Sequence, residues 1–357
     1  MLNINTILGL DISDRSIEVL GLKKRFLKKP KIAAYGRLEL GAGVVEGGNI
    51  EDFEALAEAL RILLKSAWPG PIKEKLVVAL LPQSQIFSRI FRLPPGIYSE
   101  DLKTVVLNEV ASLDNIRLEE IYYDWQVVKR NKEETMVFFE AARKDLVFDY
   151  TNVLGRAGLI PVAFEAEAAA AGRALLDLTQ NEAVVIIDIG ALATNVNYFE
   201  DGYFLGSLSV PVGGNSATVA LAKELNESLE RAEAIKREVG FDADKEAVLA
   251  ALEGEFSVIV ERAKDFIKYF SQMSGREVEK IILSGGGALI PNIENYFQIN
   301  FDLEVEQRDP LRKIYLPGCR GIKDFIYYAN VVGLALRGLH PQPYKSGINL
   351  LARAEYR

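Results

Sequence analysis

Two aspartates in this chain stand where a carboxylate could meet a hydrated metal ion. In ILGLDISDRSIEVLGL (7–22) an apolar run reaches Asp11, a short polar turn follows, and Ile17, Val19 and Leu20 resume a strand-like pattern. In VVIIDIGALATNVNYF (184–199) the run Val184, Val185, Ile186 and Ile187 reaches Asp188. Gly190 then allows a tight turn, and Thr194, Asn195, Val196, Asn197 and Tyr198 alternate polar with apolar. Mg²⁺ keeps several of its waters and takes only one or two protein carboxylates, so an aspartate ending a buried strand suits it. An ordinary hairpin with aspartate as turn former fits the same residues. Aligning Asp11 with Asp188 pairs Ile12 with Ile189 and Ser13 with Gly190. Two such units suggest a duplicated fold whose halves face a shared cleft.

Four other stretches carry chemistry. FEAEAAAAGRALLDL (164–178) predicts a helix: Ala168–Ala171 suit close packing, whereas Glu165 and Glu167 near its start could orient a water at a phosphate. Gly213 and Gly214 precede a helix beginning near Asn215 and could present backbone N–H groups to an anion. SLERAEAIKREVG places Glu233 and Lys236 on one helical face, a spacing usual for a solvated pair. KIILSGGGALIPNIENYF (280–297) reads as strand, three glycines and helix. Glycine in regular structure costs roughly 1 kcal/mol relative to alanine, so Gly285, Gly286 and Gly287 favour close backbone approach to a flat ligand or to another segment.

The elements that must position these residues follow from pattern and composition. At 357 residues the chain exceeds the size of one growing core, so two or more lobes are expected. A net charge of −8 argues against general nucleic-acid binding. Single residues, Cys319 and His340, argue against a disulfide framework, a Cys/His zinc site or a Cys–His nucleophile. Asp11 and Asp14 interrupt the first apolar run, and no segment is long enough to span a bilayer, so a cytoplasmic chain without a signal peptide is expected. The spacing predicts a helix over Phe53–Leu64 ending before Pro69, a strand over Leu76–Leu81, and a long core helix through Phe256, Ile259, Ala263 and Phe270. Residues 86–160 read strand, helix, strand, strand, helix, a small α/β subdomain offering a surface or edge strand to a partner. KKRFLKKPK (23–31) is a basic hairpin tip, either solvated or in contact with anionic lipid or an acidic partner. GAGVVEGG (41–48) departs from a dinucleotide fingerprint at Glu46, and no P-loop pattern occurs.

The Asp11 turn, Glu165/Glu167, the Asp188 turn, AEAIKREVG and LSGGGALIP occur in the order seen in the actin-like ATPase superfamily. The chain resembles the branch containing FtsA and the type IV pilus PilM family. VVEGGNIEDFEALAEAL, YYDWQVV, AARKDLVFDYTNVLGRAGLIPVAFEAE and ANVVGLALRGLHP make the PilM family the nearer match, across almost the whole chain. The resemblance implies an actin-like, duplicated ribonuclease-H-like α/β fold of two lobes with ATP and Mg²⁺ in the cleft. The first lobe would comprise 1–85, completed by about 161–180 and 325–357. An inserted subdomain would span 86–160, and the second lobe 181–324, with a smaller helical part at about 215–255. Asp11, Ser13, Asp14, Arg15 and Ser16 would match the first phosphate motif, and Asp188, Gly190, Thr194 and Asn195 the second. Gly213, Gly214, Glu233, Lys236 and Gly285–Gly287 would frame the nucleoside, with Asp11 and Asp188 meeting Mg²⁺ through water. The family role implied is an adaptor of the pilus inner-membrane platform, cytoplasmic and reaching the membrane through proteins. Its implied partners are the N-terminal peptide of a PilN-like protein, the pilus motor ATPases and further copies of itself.

Departures from the motif bear on strength of binding. The first turn reads DISDRSIE where DIGTSSIK is usual, so Ser13 replaces glycine, Asp14 adds a carboxylate, and Glu18 stands where a lysine is common. These predict weak or vestigial ATP binding and at most weak ATPase activity. The segment GINLL (347–351) is similar to an Ile-Asn-Leu-Leu segment of PilN, so either it occupies a partner groove or it packs as a strand on its own lobe. An FtsA-like division filament protein and a nucleotide-independent scaffold are the alternatives. A sugar or acetate kinase would need an acceptor-pocket motif absent here.

Overall fold

The computed structural model describes residues 6–113, 116–242, 244–315 and 325–351. They divide into two compact units, 6–174 with 311–315 and 330–351, and 175–310 with 325–329.

The first unit opens with β1 (Leu8–Ile12), β2 (Ser16–Arg25) and β3 (Lys28–Glu39), followed by the two-residue strands β4 (Val45–Glu46) and β5 (Asn49–Ile50). Helix α1 (Phe53–Ser66) is capped by Asp52, whose carboxylate accepts from the N–H groups of Glu54 and Ala55; Leu56, Leu60 and Leu63 form its buried stripe. Then come β6 (Leu76–Leu81), β7 (Ile86–Leu93), α2 (Leu102–Ala111), β8 (Ile121–Arg130), β9 (Thr135–Arg143), α3 (Lys144–Arg156), β10 (Ile160–Ala166) and α4 (Glu167–Leu175). The main sheet runs β3-β2-β1-β6-β10, antiparallel among the first three strands and parallel from β1 to β10. β1 is buried along its whole length, as a central strand covered on both faces must be. β7, β9 and β8 form a separate antiparallel sheet. α2 covers it by packing Leu102, Val106 and Val110 with Phe91, Val137 and Phe139, so this part of 86–160 has its own core.

The second unit repeats the plan. β11 (Ala183–Ile189), β12 (Thr194–Glu200) and β13 (Tyr203–Val210) are antiparallel neighbours, and three helices follow: α5 (Gly214–Leu225), α6 (Leu229–Glu238) and α7 (Glu246–Ser274). β14 (Lys280–Ser284), α8 (Ile293–Phe301) and β15 (Glu304–Gln307) complete the order β13-β12-β11-β14-β15, parallel from β11 to β15. Helix α9 (Ala329–Gly338) then lies against the first unit's sheet and α4. A Cβ on Gly333 would sit 1.8 Å from the Ala170 carbonyl, so the alanine run of α4 serves close helix packing.

One predicted boundary is corrected. Phe164 and Glu165 are not helical: β10 stays paired with β6 through Ala166, with Glu165 opposite Leu80, and α4 starts only at Glu167. Cys319 and residues 352–357 lie outside the described residues.

Candidate functional site: two copies of one turn

In the first unit, Asp11 on β1 faces Glu18 on β2, and the intervening turn is closed by Ser13 N–H donating to the Ser16 carbonyl at 2.9 Å. In the second, Asp188 on β11 faces Asn195 on β12, and Gly190 N–H donates to the Ala193 carbonyl, also at 2.9 Å. The alignment of Ser13 with Gly190 therefore holds at the level of a single hydrogen bond. Each turn is also followed by the same supporting feature, since β6 and β14 both run into a short 3₁₀ turn, at Gln83–Gln85 and Gly286–Leu289.

Several polar side chains of the first turn and its flanking strands are already engaged, within the turn and by residues outside it. Ser13 Oγ accepts from Ser16 N–H at 3.1 Å and from Arg15 N–H at 3.4 Å, taking amides that could otherwise face a phosphate. Asp14 accepts from Gly47 N–H and Gly48 N–H, each at 3.0 Å, so its carboxylate is held on the 41–48 loop. Tyr150 Oη donates to the Gly48 carbonyl and fixes that loop. Glu18 is paired with Arg37 at 2.7 Å, and Asp11 accepts from Asn330 Nδ2 at 3.2 Å. Burial pushes Asp11 up to about 6, with the Asn330 hydrogen bond opposing. Burial and the nearby Asp11 charge push Glu18 up to about 7, against the hydrogen bonds from Ser16 and Arg37. Asn330 could not be anticipated, because it begins an ordinary apolar helix.

The second turn is built differently. Gly285, at φ +78°, follows β14 so closely that a Cβ there would lie 2.3 Å from Asp188 Oδ1 and 2.5 Å from the Ile189 carbonyl. Gly286 meets the Tyr327 ring, and Gly287 meets Ile189. Of the two readings of the glycine run, close approach to another segment is thus realised at all three positions. Asp188 remains partly exposed, Asn195 likewise, and Thr194 is buried with its hydroxyl donating to the Val212 carbonyl at 2.7 Å.

The helix that follows corrects two expectations. Gly214 N–H and Asn215 N–H are not free for an anion; they donate to the carbonyls of Gly190 and Ala191 at 2.9 and 2.8 Å. Gly213 N–H donates to Ser216 Oγ. The glycine pair therefore clamps α5 onto the Asp188 turn. Nor are Glu233 and Lys236 a solvated pair. Lys236 is 5% exposed, and its ammonium donates to the Gly214 carbonyl and Thr218 Oγ1 at 2.7 Å each and pairs with Glu233 at 2.6 Å. Burial lowers the Lys236 pKa although Glu233 resists. Burial opposes ionisation of Glu233, but hydrogen bonds from Lys236, Thr218 and Arg237 outweigh it and bring it to about 2. Thr218, one helical turn after Gly214, carried no sequence signal.

Glu165 and Glu167 separate. Glu165 is 1% exposed, and its carboxylate takes Arg173 at 2.7 and 2.9 Å and also Arg337. Both oxygens are engaged, and the two guanidinium groups hold its pKa down despite burial, which leaves it no water to position. Glu167, in the first turn of α4, is partly exposed and accepts from Gln83 N–H at 3.4 Å. Among the described residues no cluster of three or more metal-ligating side chains occurs. Mg²⁺ held through nucleotide phosphates needs no such cluster, and partly exposed Asp188 suits that role.

The Gly347–Leu351 segment is docked within the first unit. Asn349 N–H donates to Asp124 on β8 at 3.0 Å, and Asn349 Oδ1 accepts from Phe164 N–H on β10 at 3.0 Å. Leu350 N–H donates to the Phe164 carbonyl, Arg337 donates to the Ile348 carbonyl, and Leu350 is fully buried. Packing on its own lobe is the arrangement found.

A duplicated five-stranded sheet carrying a matched strand–Asp–turn–strand in each half defines an actin-like fold. Similar solved structures bear this out: EutJ of Carboxydothermus hydrogenoformans has a TM-score of 0.57 at 17% identity over 93% of this chain and 89% of that one. MreB5 of Spiroplasma citri bound to AMPPNP gives 0.52 at 16% identity over 92% and 94%. A family model described as type IV pilus assembly protein PilM matches residues 9–339, and the chain belongs to that family. A solved PilM–PilN type IV pilus biogenesis complex aligns at a TM-score of 0.78 and 20% identity over 94% of this chain and 99% of that one. Cell division protein FtsA of Bacillus subtilis (strain 168) is 30% identical over 98 residues, 27% of this chain and 22% of FtsA. The alignment thus spans under a quarter of the FtsA length. Among the described residues no helix is long and apolar enough to cross a membrane.

Proposed function

We propose that this pilus-assembly protein docks an extended peptide of a PilN-like inner-membrane protein and relays occupancy of an ATP site to the pilus motor ATPases. The carrying observation is the groove between β8 and β10, where Asn349 bonds to Asp124 and to the Phe164 backbone. It grips an Ile-Asn-Leu-Leu segment by main-chain bonds and one buried asparagine, the chemistry by which a sheet edge selects a peptide. The solved relative is a complex of PilM with PilN. Isothermal titration of a PilN N-terminal peptide tests this reading. Deleting 346–357 should raise its affinity, and unchanged affinity would remove the tail as a competitor.

For the nucleotide, the second unit supplies the grip: the Asp188 turn, backed by Gly285 and clamped by Gly213 and Gly214, with Lys236 and Glu233 behind it. With both Glu165 oxygens held by Arg173 and Arg337, a structural or switching ATP fits better than rapid turnover. The engaged first turn favours a second reading, a scaffold that works without nucleotide. Calorimetry with ATP and Mg²⁺ separates the two, because the scaffold requires no heat of binding.

A further inference from the structure

The tip of the β2–β3 hairpin is unlike the rest of this acidic protein. Six of the nine residues from Lys23 to Lys31 are Lys or Arg and none is acidic, within a chain of net charge −8. Arg25 pairs with Lys28 across the turn, so Phe26 and Leu27 form its apex, 88% and 89% exposed. Leu27 sits at φ +51°, the left-handed region in which a branched side chain is strained and which glycine or asparagine fills without penalty. A merely solvated turn gains nothing from phenylalanine and leucine there. The hairpin is also braced: Tyr315 N–H donates to the Pro30 carbonyl at 2.8 Å, and Lys29 donates to the Arg312 carbonyl at 2.6 Å. The Arg25 guanidinium lies 4.4 Å from the centre of the Tyr315 ring, itself 45% exposed.

We propose that this tip binds an anionic membrane surface directly, with Phe26 and Leu27 entering the headgroup layer and the surrounding cations engaging lipid phosphates. Two apolar side chains or the cations alone give marginal, reversible attachment; together they make a usable anchor. An acidic protein partner would satisfy the lysines but leave the apex unused, so charge and apolarity together favour the bilayer. This contact is separate from the PilN groove and would orient the first unit against the membrane.

The test is co-sedimentation of the full chain with phosphatidylglycerol/phosphatidylcholine vesicles and with phosphatidylcholine alone. Wild type should bind the anionic vesicles only, and less as salt rises from about 50 to about 300 mM. Leu27→Gly should lose roughly tenfold in vesicle affinity while thermal stability stays equal or rises, since it removes apolar surface and relieves the turn. Lys24→Glu/Lys28→Glu should lose at least about tenfold. No binding to anionic vesicles, or binding indifferent to Leu27→Gly and Phe26→Ser, overturns the proposal. Binding to polyglutamate that depends on the lysines but not on Phe26 or Leu27, without vesicle binding, would assign the tip to an acidic protein instead.

Discussion

The first and second turns share backbone, register and flanking topology, yet their side chains do opposite things. At the first, Asp11 is opposed by a second carboxylate, Glu18; at the second, Asp188 is opposed by neutral Asn195. Ser13 folds its hydroxyl back onto the amides of its own turn, where Gly190 has none to fold. Behind the first turn β6 is followed by Pro82, whereas behind the second β14 is followed by Gly285, which lets the chain pass against the Asp188 carboxylate. A duplicated scaffold can thus keep its backbone geometry in both halves while the side chains around each turn diverge. In the first turn the Ser13 hydroxyl is bonded to amides of the turn itself, and the Asp14 carboxylate to the Gly47–Gly48 loop.

The sharpest way to break this contrast is at Gly285. Gly285→Ala would force a Cβ to within 2.3 Å of Asp188 Oδ1 at φ +78°. Left-handed strain and overpacking together should cost about 3 kcal/mol or more, read by urea denaturation. ATP binding should fall with it, because the displaced group is the Asp188 carboxylate. A stable variant that binds ATP normally would show that Gly285 does not shape the turn.

Next in size is the pair of aspartate substitutions. Asp188→Ala should weaken ATP–Mg²⁺ binding by roughly 10- to 100-fold in calorimetry, the scale of losing a contact to a charged group. Asp11→Asn should change it by less than about threefold. Equal losses would mean that the first turn still contributes, and the asymmetry would be wrong.

Much of this was legible in the chain itself. The duplication is legible because a buried strand ending in aspartate is a strong local pattern, and so is the end of Leu76–Leu81, because Pro82 cannot continue a central strand. Glu165 could not be placed: an alanine-rich stretch reads as helix, and nothing local reveals that residues 160–166 extend a parallel sheet beside β6. The partners that settle each carboxylate lie far away in sequence: Asn330 for Asp11, Gly47 and Gly48 for Asp14, Arg337 for Glu165. Lys236 looked solvated because its i,i+3 partner is visible in sequence, whereas the Gly214 carbonyl that buries it belongs to another helix.

Asp11→Asn has a second consequence, in stability. Asp11 and Glu18 have folded pKa values raised to about 6 and about 7. The folded state therefore holds extra protons between about pH 4 and pH 7, relative to carboxylates near 4 in the unfolded chain. Their contribution is fully present below about pH 4, declines as pH rises through that window, and is flat above it. At pH 8 both are ionised and repel. Asp11→Asn should then stabilise the protein by on the order of 1–2 kcal/mol at pH 8 and flatten the decline between pH 4 and 7, measured by urea melts across pH. A wild-type stability that rises through this window would contradict the buried pair.

The smallest effect concerns Ser13, and it asks whether the closed turn can be reopened. Its hydroxyl is the acceptor for Ser16 N–H and Arg15 N–H. Ser13→Gly removes that acceptor but leaves the 2.9 Å main-chain bond to the Ser16 carbonyl, the same bond Gly190 makes in the other half. The freed amides would be available to a phosphate, while Asp14 keeps its charge and its bonds to Gly47 and Gly48. ATP affinity should therefore rise about two- to fivefold, at a stability cost of roughly 0.5–1 kcal/mol for the added backbone freedom. Should affinity stay flat while stability falls, the Ser13 hydroxyl is not what closes the first turn. Burial of the Asp11–Glu18 carboxylate pair would then be the larger barrier to a phosphate at this turn.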